Sequence, residues 1–285
     1  MSEAVTALDH PRCELGEGPT YDPHTDTAWW FDITGRALHE YSFSQGLSRV
    51  HALPFAASAL ARVDARRQAL FTETGLVLRD VASGALTPLQ AIEADDPETR
   101  SNDARVHPCG AMWLGTMGWD AQPGAGMIWH YRAGVLTRLF DGITITNAIC
   151  FSPDGALGYF ADTAKGTIFR VPLDRATGLP TGAPQIWRDR FDGGPDGAVV
   201  DAEGCLWVAV WGSASVVRYS PEGVDVARIG LPASQPSCPA FVGPKADRLL
   251  ITTAALGLDR GGEADGLTHL APLAVPGLQA PDLII

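Results

Sequence analysis

Short apolar runs, each entered through a small turn, recur along the whole chain. The units begin YDPHTDTAWWFD, VDARRQALFTE, VHPCGAMWLGT, FSPDGALGYFAD, VDAEGCLWVAV and VGPKADRLLITT. The third turn residue falls at Pro23, Ala65, Pro108, Pro153, Ala202 and Pro244, in steps of 42, 43, 45, 49 and 42. A second run often follows, as in RALHEYSF, TGLVLRDV, GMIWHYR and GTIFRVPL. No long segment keeps the i, i+3, i+4, i+7 spacing of an amphipathic helix. A repeat of this period with several strands per unit is the pattern of a β-propeller blade. The sequence therefore predicts an all-β fold: one six-bladed propeller domain over residues 1–285. A β-sandwich would not require six similar turns at near-constant spacing. Residues 4–8 (AVTAL) and the late segment LTHLAPLAV are expected to share a blade, which would hide two strand edges.

Composition narrows the partners. Gly (31) and Pro (21) recur as punctuation between the runs rather than forming one linker. With 21 basic and 33 acidic residues the net charge is −12, which argues against nucleic acid and against an anionic membrane surface. No apolar stretch is long enough to span a bilayer, and the N-terminus lacks a basic segment followed by an apolar one. Five scattered cysteines (Cys13, Cys109, Cys150, Cys205, Cys238) include no C-x-x-C pair. They suggest reduced thiols in a cytoplasmic protein and no cysteine-based zinc site. A monomer is the default for a closed propeller.

In a propeller, residues far apart in sequence meet around the central channel. Polar residues beside the innermost strands are therefore the candidates for chemistry. Four places stand out: Glu17 in CELGEGPTYD, the cluster Arg100, Asn102 and Asp103 in TRSNDARVHPCG, Asn147 in TITNAICFSPDG, and Asp196 in DGGPDGAVVDAEG. Singly, each has an ordinary structural account as a turn carboxylate, a backbone-bonding amide or a surface ion pair. Together they share a spacing. Glu17, Asn102, Asn147 and Asp196 each precede the turn position of their unit by six residues. The corresponding positions in units two and six are Ala59 and Cys238. Two carboxylates and an amide oxygen form a hard donor set suited to Ca²⁺, Mg²⁺ or Mn²⁺, with Zn²⁺ or Fe²⁺ less natural in the absence of His or Cys.

The segments LGEGP, SND followed by GTM, ITNAICFSPDG with ADT, and PDGAVVDAEGCLWVAVWG resemble the SMP-30/gluconolactonase/regucalcin-like family across essentially the whole chain. The resemblance implies a six-bladed propeller with one divalent metal in its channel, and hydrolysis of a sugar lactone to the aldonic acid. It implies Glu17, Asn147 and Asp196 as metal ligands, with the metal as Lewis acid and Asp196 as general base. Asp103 matches the neighbouring acid and is the second choice of base. Arg100 and Asn102 match substrate-contacting positions. After GTM some members carry a Glu that touches the sugar. Here the place reads Asp120, a shorter side chain, with Trp119 beside it as a stacking candidate.

Other hydrolytic routes lack their motifs. There is no G-x-S-x-G, no H-E-x-x-H and no phosphate-binding G-x-x-x-x-G-K-[ST] loop. The seven histidines read mostly as surface or strand-face residues, and His107 as structural. The tryptophans read mostly as blade core. Two alternatives to a lactonase stay open at this level: a Ca²⁺-binding propeller that presents a protein-interaction face, and a promiscuous esterase or phosphotriesterase.

Overall fold

A computed structural model describes residues 5–259 and 261–285. The described residues form six four-stranded antiparallel sheets. Each sheet starts from an inner strand: Gly16–Asp22, Ala57–Arg62, Thr99–Val106, Thr146–Phe151, Gly194–Val200 and Pro236–Val242. Each inner strand packs against the next, and the sixth returns to the first. The ring is thus the six-bladed propeller that the repeat predicts. The last blade is completed by the N-terminal strand Thr6–Ala7, which pairs with His269–Pro272. This is the expected sharing of one blade between the two ends, although Ala4 lies outside the described residues.

Burial follows position within the blade. The second strands, such as Thr27–Asp32 and Met112–Gly118, are buried at every residue. Neighbouring blades cover both of their faces, so they read as continuous apolar runs rather than alternating ones. The outermost strands, such as Leu47–Ala52 and Asp225–Gly230, are largely exposed. Among the described residues the buried apolar side chains divide into six clusters, one at each seam between blades. Trp30, Trp113, Tyr131, Tyr159 and Tyr219 are among the largest side chains fully buried there. The stability of the ring therefore resides in its seams and leaves the axis free for polar groups.

The histidines refine the sequence reading of surface or strand-face positions. Five of the seven (His10, His39, His107, His130 and His269) are buried. They stand on strands or turns that face a neighbouring blade, which composition does not reveal. The C-terminal segment makes a second unforeseen contribution. It crosses the end of the ring where the inner strands turn back. Gly277 N–H donates to Ala246 O, Leu283 N–H to Arg62 O and Ile284 N–H to Gly110 O. Asp282 pairs with Arg62, and Leu283 is buried in the seam between blades two and three. A cavity of about 330 Å³ remains between this segment and the inner strands, lined in part by Arg105, Cys150 and Leu278.

Candidate active site

The inner strands are irregular at one place, and the irregularity builds the site. In blade one Glu17 pairs with Phe31 and the next pair is Thr20 with Trp29, so Gly18 and Pro19 together oppose one residue. The same two-against-one β-bulge holds Ala148 and Ile149 in blade four, Asn102 and Asp103 in blade three, and Asp196 and Gly197 in blade five. Ser237 and Cys238 occupy it in blade six, and blade two has one extra residue, Ser58, at the matching place. A bulge breaks the ladder and re-aims side chains, here toward the axis.

The equal six-residue spacing conceals two kinds of bulge. Glu17 and Asn147 sit just before it, whereas Asn102 and Asp196 are its first residues. In blades three and five the ladder beyond the bulge runs one pair further and the turn loop is one residue shorter. The count to the turn therefore comes out the same from positions one step apart. The backbone compensates: Gly18 and Ala148 adopt left-handed φ values of 56° and 51°. Gly18 has no alternative, because a Cβ there would run into the Ser58 carbonyl.

Three of the candidate side chains, joined by Thr163, form one hydrogen-bonded line. Arg100 Nη1 donates to Asn102 Oδ1 at 2.8 Å, and Asn102 Nδ2 donates to Asn147 Oδ1 at 3.0 Å. Asn147 Nδ2 donates to Thr163 Oγ1 at 2.9 Å, and Thr163 Oγ1 donates to Pro195 O at 2.6 Å, the residue before Asp196. The line fixes the Asn147 amide so that its oxygen keeps a second lone pair. Asp103 Oδ2 accepts the Ile149 amide at 2.7 Å, joining blade three to blade four. Glu17 accepts only its neighbour Gly18 N–H.

Three buried acids share this small volume. Burial, aided by Asp103, pushes Glu17 up to about 8. Burial, with Glu17 and Asp103 nearby, holds Asp196 well above the ordinary carboxylate range. Burial alone carries Asp103 to about 6, against the opposing pull of Arg105. Arg100 is lowered by burial to about 10 even with Glu17 and Asp196 favouring its charge. Like charges gathered out of water are costly unless a counter-charge joins them. Glu17, Asp196 and the Asn147 amide oxygen are therefore a donor set that fits a hard divalent cation.

Trp119 and Asp120 stand apart from the buried line. Trp119 is 37% exposed and lies against the Arg100 guanidinium, 5.6 Å from ring centre to Cζ. Asp120 is exposed in the following turn. Sequence reasoning missed Thr163 and Arg105. Thr163 is visible only in the ADT motif that trails Asn147. Arg105 acts electrostatically on Glu17 and Asp103 and reaches Ala198 O and Cys238 Sγ. Its alternation with Asp103 on one strand was the available signal.

Fold and site together define a six-bladed propeller whose channel gathers acids and amides from four blades. Residues 15–255 match the family described as SMP-30/Gluconolactonase/LRE-like region, and the chain belongs to that family. It is 51% identical over 259 residues to a protein of Rhizobium meliloti (strain 1021) assigned as a sugar lactone lactonase, covering 90% of this chain and 88% of the relative. It is 35% identical over 266 residues to the L-arabinolactonase of Azospirillum brasilense, covering 92% and 88%. A solved structure titled as a calcium-binding protein, regucalcin, from Agrobacterium tumefaciens str. C58 superposes with a TM-score of 0.96 at 47% identity, covering 100% of this chain and 98% of that one.

Proposed function

We propose that this protein opens the ring of an aldonolactone to the aldonic acid, using a divalent cation held by Glu17, Asn147 and Asp196. The observation that carries the reading is the convergence of those three side chains, from blades one, four and five, beside Arg100 and Asn102. The lactonase names of the relatives support the same chemistry. When bound, the cation supplies Lewis-acid polarisation of the lactone carbonyl. Ca²⁺, Mg²⁺ and Mn²⁺ suit the oxygen donors best.

The chain's own residues supply the rest. Asp196, placed among the groups that would hold the cation, accepts the proton of the attacking water. The water oxygen bonds to the carbonyl carbon, the ring C–O bond breaks, and the ring oxygen takes the proton back from Asp196 and leaves as a hydroxyl. Asp103 is less suited to the base role because the Ile149 amide occupies its Oδ2. Arg100 is held by Asn102 Oδ1 and Ser101 O through Nη1, which leaves its other N–H donors for sugar hydroxyls. Trp119, lying against the guanidinium, offers a flat apolar face at the entrance.

The test is an initial-rate assay on a panel of aldonolactones. Metal-stripped protein is supplied with Ca²⁺, Mg²⁺, Mn²⁺ or Zn²⁺ in turn. Cation-dependent ring opening well above the spontaneous rate is expected. Cation uptake without turnover of any lactone would favour a binding propeller, and turnover confined to aryl esters or phosphotriesters would favour the esterase reading.

A further inference from the structure

A second cluster of ligand-type side chains lies at the seam between blades six and one. We propose that Cys13, Asp32 and His39 form a binding site for a borderline-soft divalent cation of the Zn²⁺ class, distinct from the oxygen-rich centre of the channel.

All three residues are buried, and one ligand atom from each lies within 4.8 Å of the others. Cys13 Sγ is 3.7 Å from His39 Nε2. A sulfur and a nitrogen bound to one tetrahedral Zn²⁺ stand roughly 3.5 Å apart, given bond lengths of about 2.3 and 2.0 Å. The site needs only a small contraction. The three residues come from different elements: Cys13 precedes the first inner strand, Asp32 ends the second strand, and His39 lies on the third, Ala37–Ser42. The missing C-x-x-C motif therefore says nothing about this cluster.

The surrounding bonds orient the ligands in the way metal sites require. His39 Nδ1 is 2.7 Å from His10 Nε2, and His10 Nδ1 is 2.7 Å from Ser48 Oγ. With His39 Nδ1–H donating to His10 and His10 Nδ1–H donating to Ser48, the free lone pair of His39 is on Nε2, the nitrogen nearer to Cys13. Asp32 Oδ1 accepts Leu15 N–H and Gly35 N–H, whereas Oδ2 accepts only Glu14 N–H and retains a lone pair. The Trp30 indole N–H is buried and faces the Cys13 sulfur. A metal-bound thiolate would accept that N–H more strongly than the neutral thiol does.

Charge also balances. On binding, the Cys13 S–H proton leaves to solvent and a metal–sulfur bond forms, with no change of oxidation state. One thiolate, one carboxylate and a neutral imidazole offset the two positive charges of the ion. The cation would tie the segment entering the first inner strand to the second and third strands of blade one. That segment is already bonded to the blade-six loop through Cys13 N–H and Gly266 O.

Cobalt(II) is the probe, because a thiolate ligand gives it a near-ultraviolet charge-transfer band and a tetrahedral site gives intense visible bands. The metal-free full chain titrated with Co²⁺ is expected to show both. One equivalent of Zn²⁺ should remove them, and excess Ca²⁺ should not. The thiolate band should vanish in Cys13→Ser and persist in Cys109→Ser and Glu17→Gln. His10→Ala should weaken Co²⁺ binding by about 10–100-fold while keeping the band. Zn²⁺ should raise the thermal midpoint of the wild type and not that of Cys13→Ser. Circular dichroism establishes that each variant is folded, and His39→Gln, which should also lose the visible bands, replaces Cys13→Ser if the latter unfolds. A folded wild type without a thiolate band, a band that survives Cys13→Ser, or displacement by Ca²⁺ would overturn the proposal.

Discussion

Blades one, three, four and five differ from blades two and six at a single place. All six inner strands break their ladder there, yet four blades carry a polar group in the bulge or just before it (Asn102 with Asp103, Asp196; Glu17, Asn147), while the other two have Ser58, and Ser237 with Cys238, in the bulge. Ser237 Oγ is spent on structure, donating to Gly16 O at 2.5 Å, and Ser58 Oγ is buried without a partner. The bulge is therefore a property of the architecture, and the residue placed in it or just before it decides the chemistry. The small groups of blades two and six also keep their neighbours close: a Cβ on Gly197 would meet Cys238 Sγ, as one on Gly18 would meet the Ser58 carbonyl.

The comparison predicts a graded set of outcomes. Asp196→Asn should lower turnover by about 10²–10⁴-fold with little change in thermal midpoint, since it removes a proton acceptor from an intact bulge. Ser58→Ala, at the matching place in blade two, should leave the rate unchanged. An equal loss from both would break the distinction between the two sets of blades. Trp113→Ala should do the reverse of Asp196→Asn. It removes a fully buried side chain from the seam of blades three and four, at a cost of about 3–5 kcal/mol by denaturant unfolding, while the protein that remains folded stays active.

A smaller effect is expected at the backbone. Gly18→Ala places a side chain in a left-handed conformation against the Ser58 carbonyl, which should cost about 1–3 kcal/mol and displace Glu17. Unchanged stability would mean that the bulge of blade one does not depend on glycine. The smallest effect concerns acid. Burial lowers the pKa of His107, whose Nε2 donates to Gly155 O while Nδ1 accepts Cys109 N–H. The unfolded chain takes up this proton first, so the contribution of His107 is full above about pH 6.5 and is lost as the pH falls through its lower folded value. Replacing His107 with Gln should flatten that part of the stability profile.

The sequence and the structure agree most closely where a period carries the information. Six similar turns announce six blades, and the terminal apolar segments announce the shared last one. Glu17, Asn102, Asn147 and Asp196 were legible because they recur at one distance from those turns. That they straddle the bulge in two groups was not legible, because one extra ladder pair offsets the one-residue shift in the count. Arg105 and Thr163 act through contacts between blades that no local spacing encodes. The same limit hid the burial of five histidines and the meeting of Cys13 with Asp32 and His39, whose elements become neighbours only when the blade closes. It also hid the C-terminal segment across the end of the ring, where Leu283 finds its pocket only after blades two and three have packed.

The central claim is that side chains from blades one, four and five hold one cation on which lactone opening depends. The most direct measurement is the initial rate of aldonolactone opening as Mn²⁺ is titrated into metal-stripped wild type and into Glu17→Gln, with folding of both confirmed. The account predicts that the rate rises to saturation in the wild type and that far more Mn²⁺ is needed, with a lower plateau, in Glu17→Gln. Coincident titration curves, or full activity of the stripped wild type before any cation is added, would contradict it.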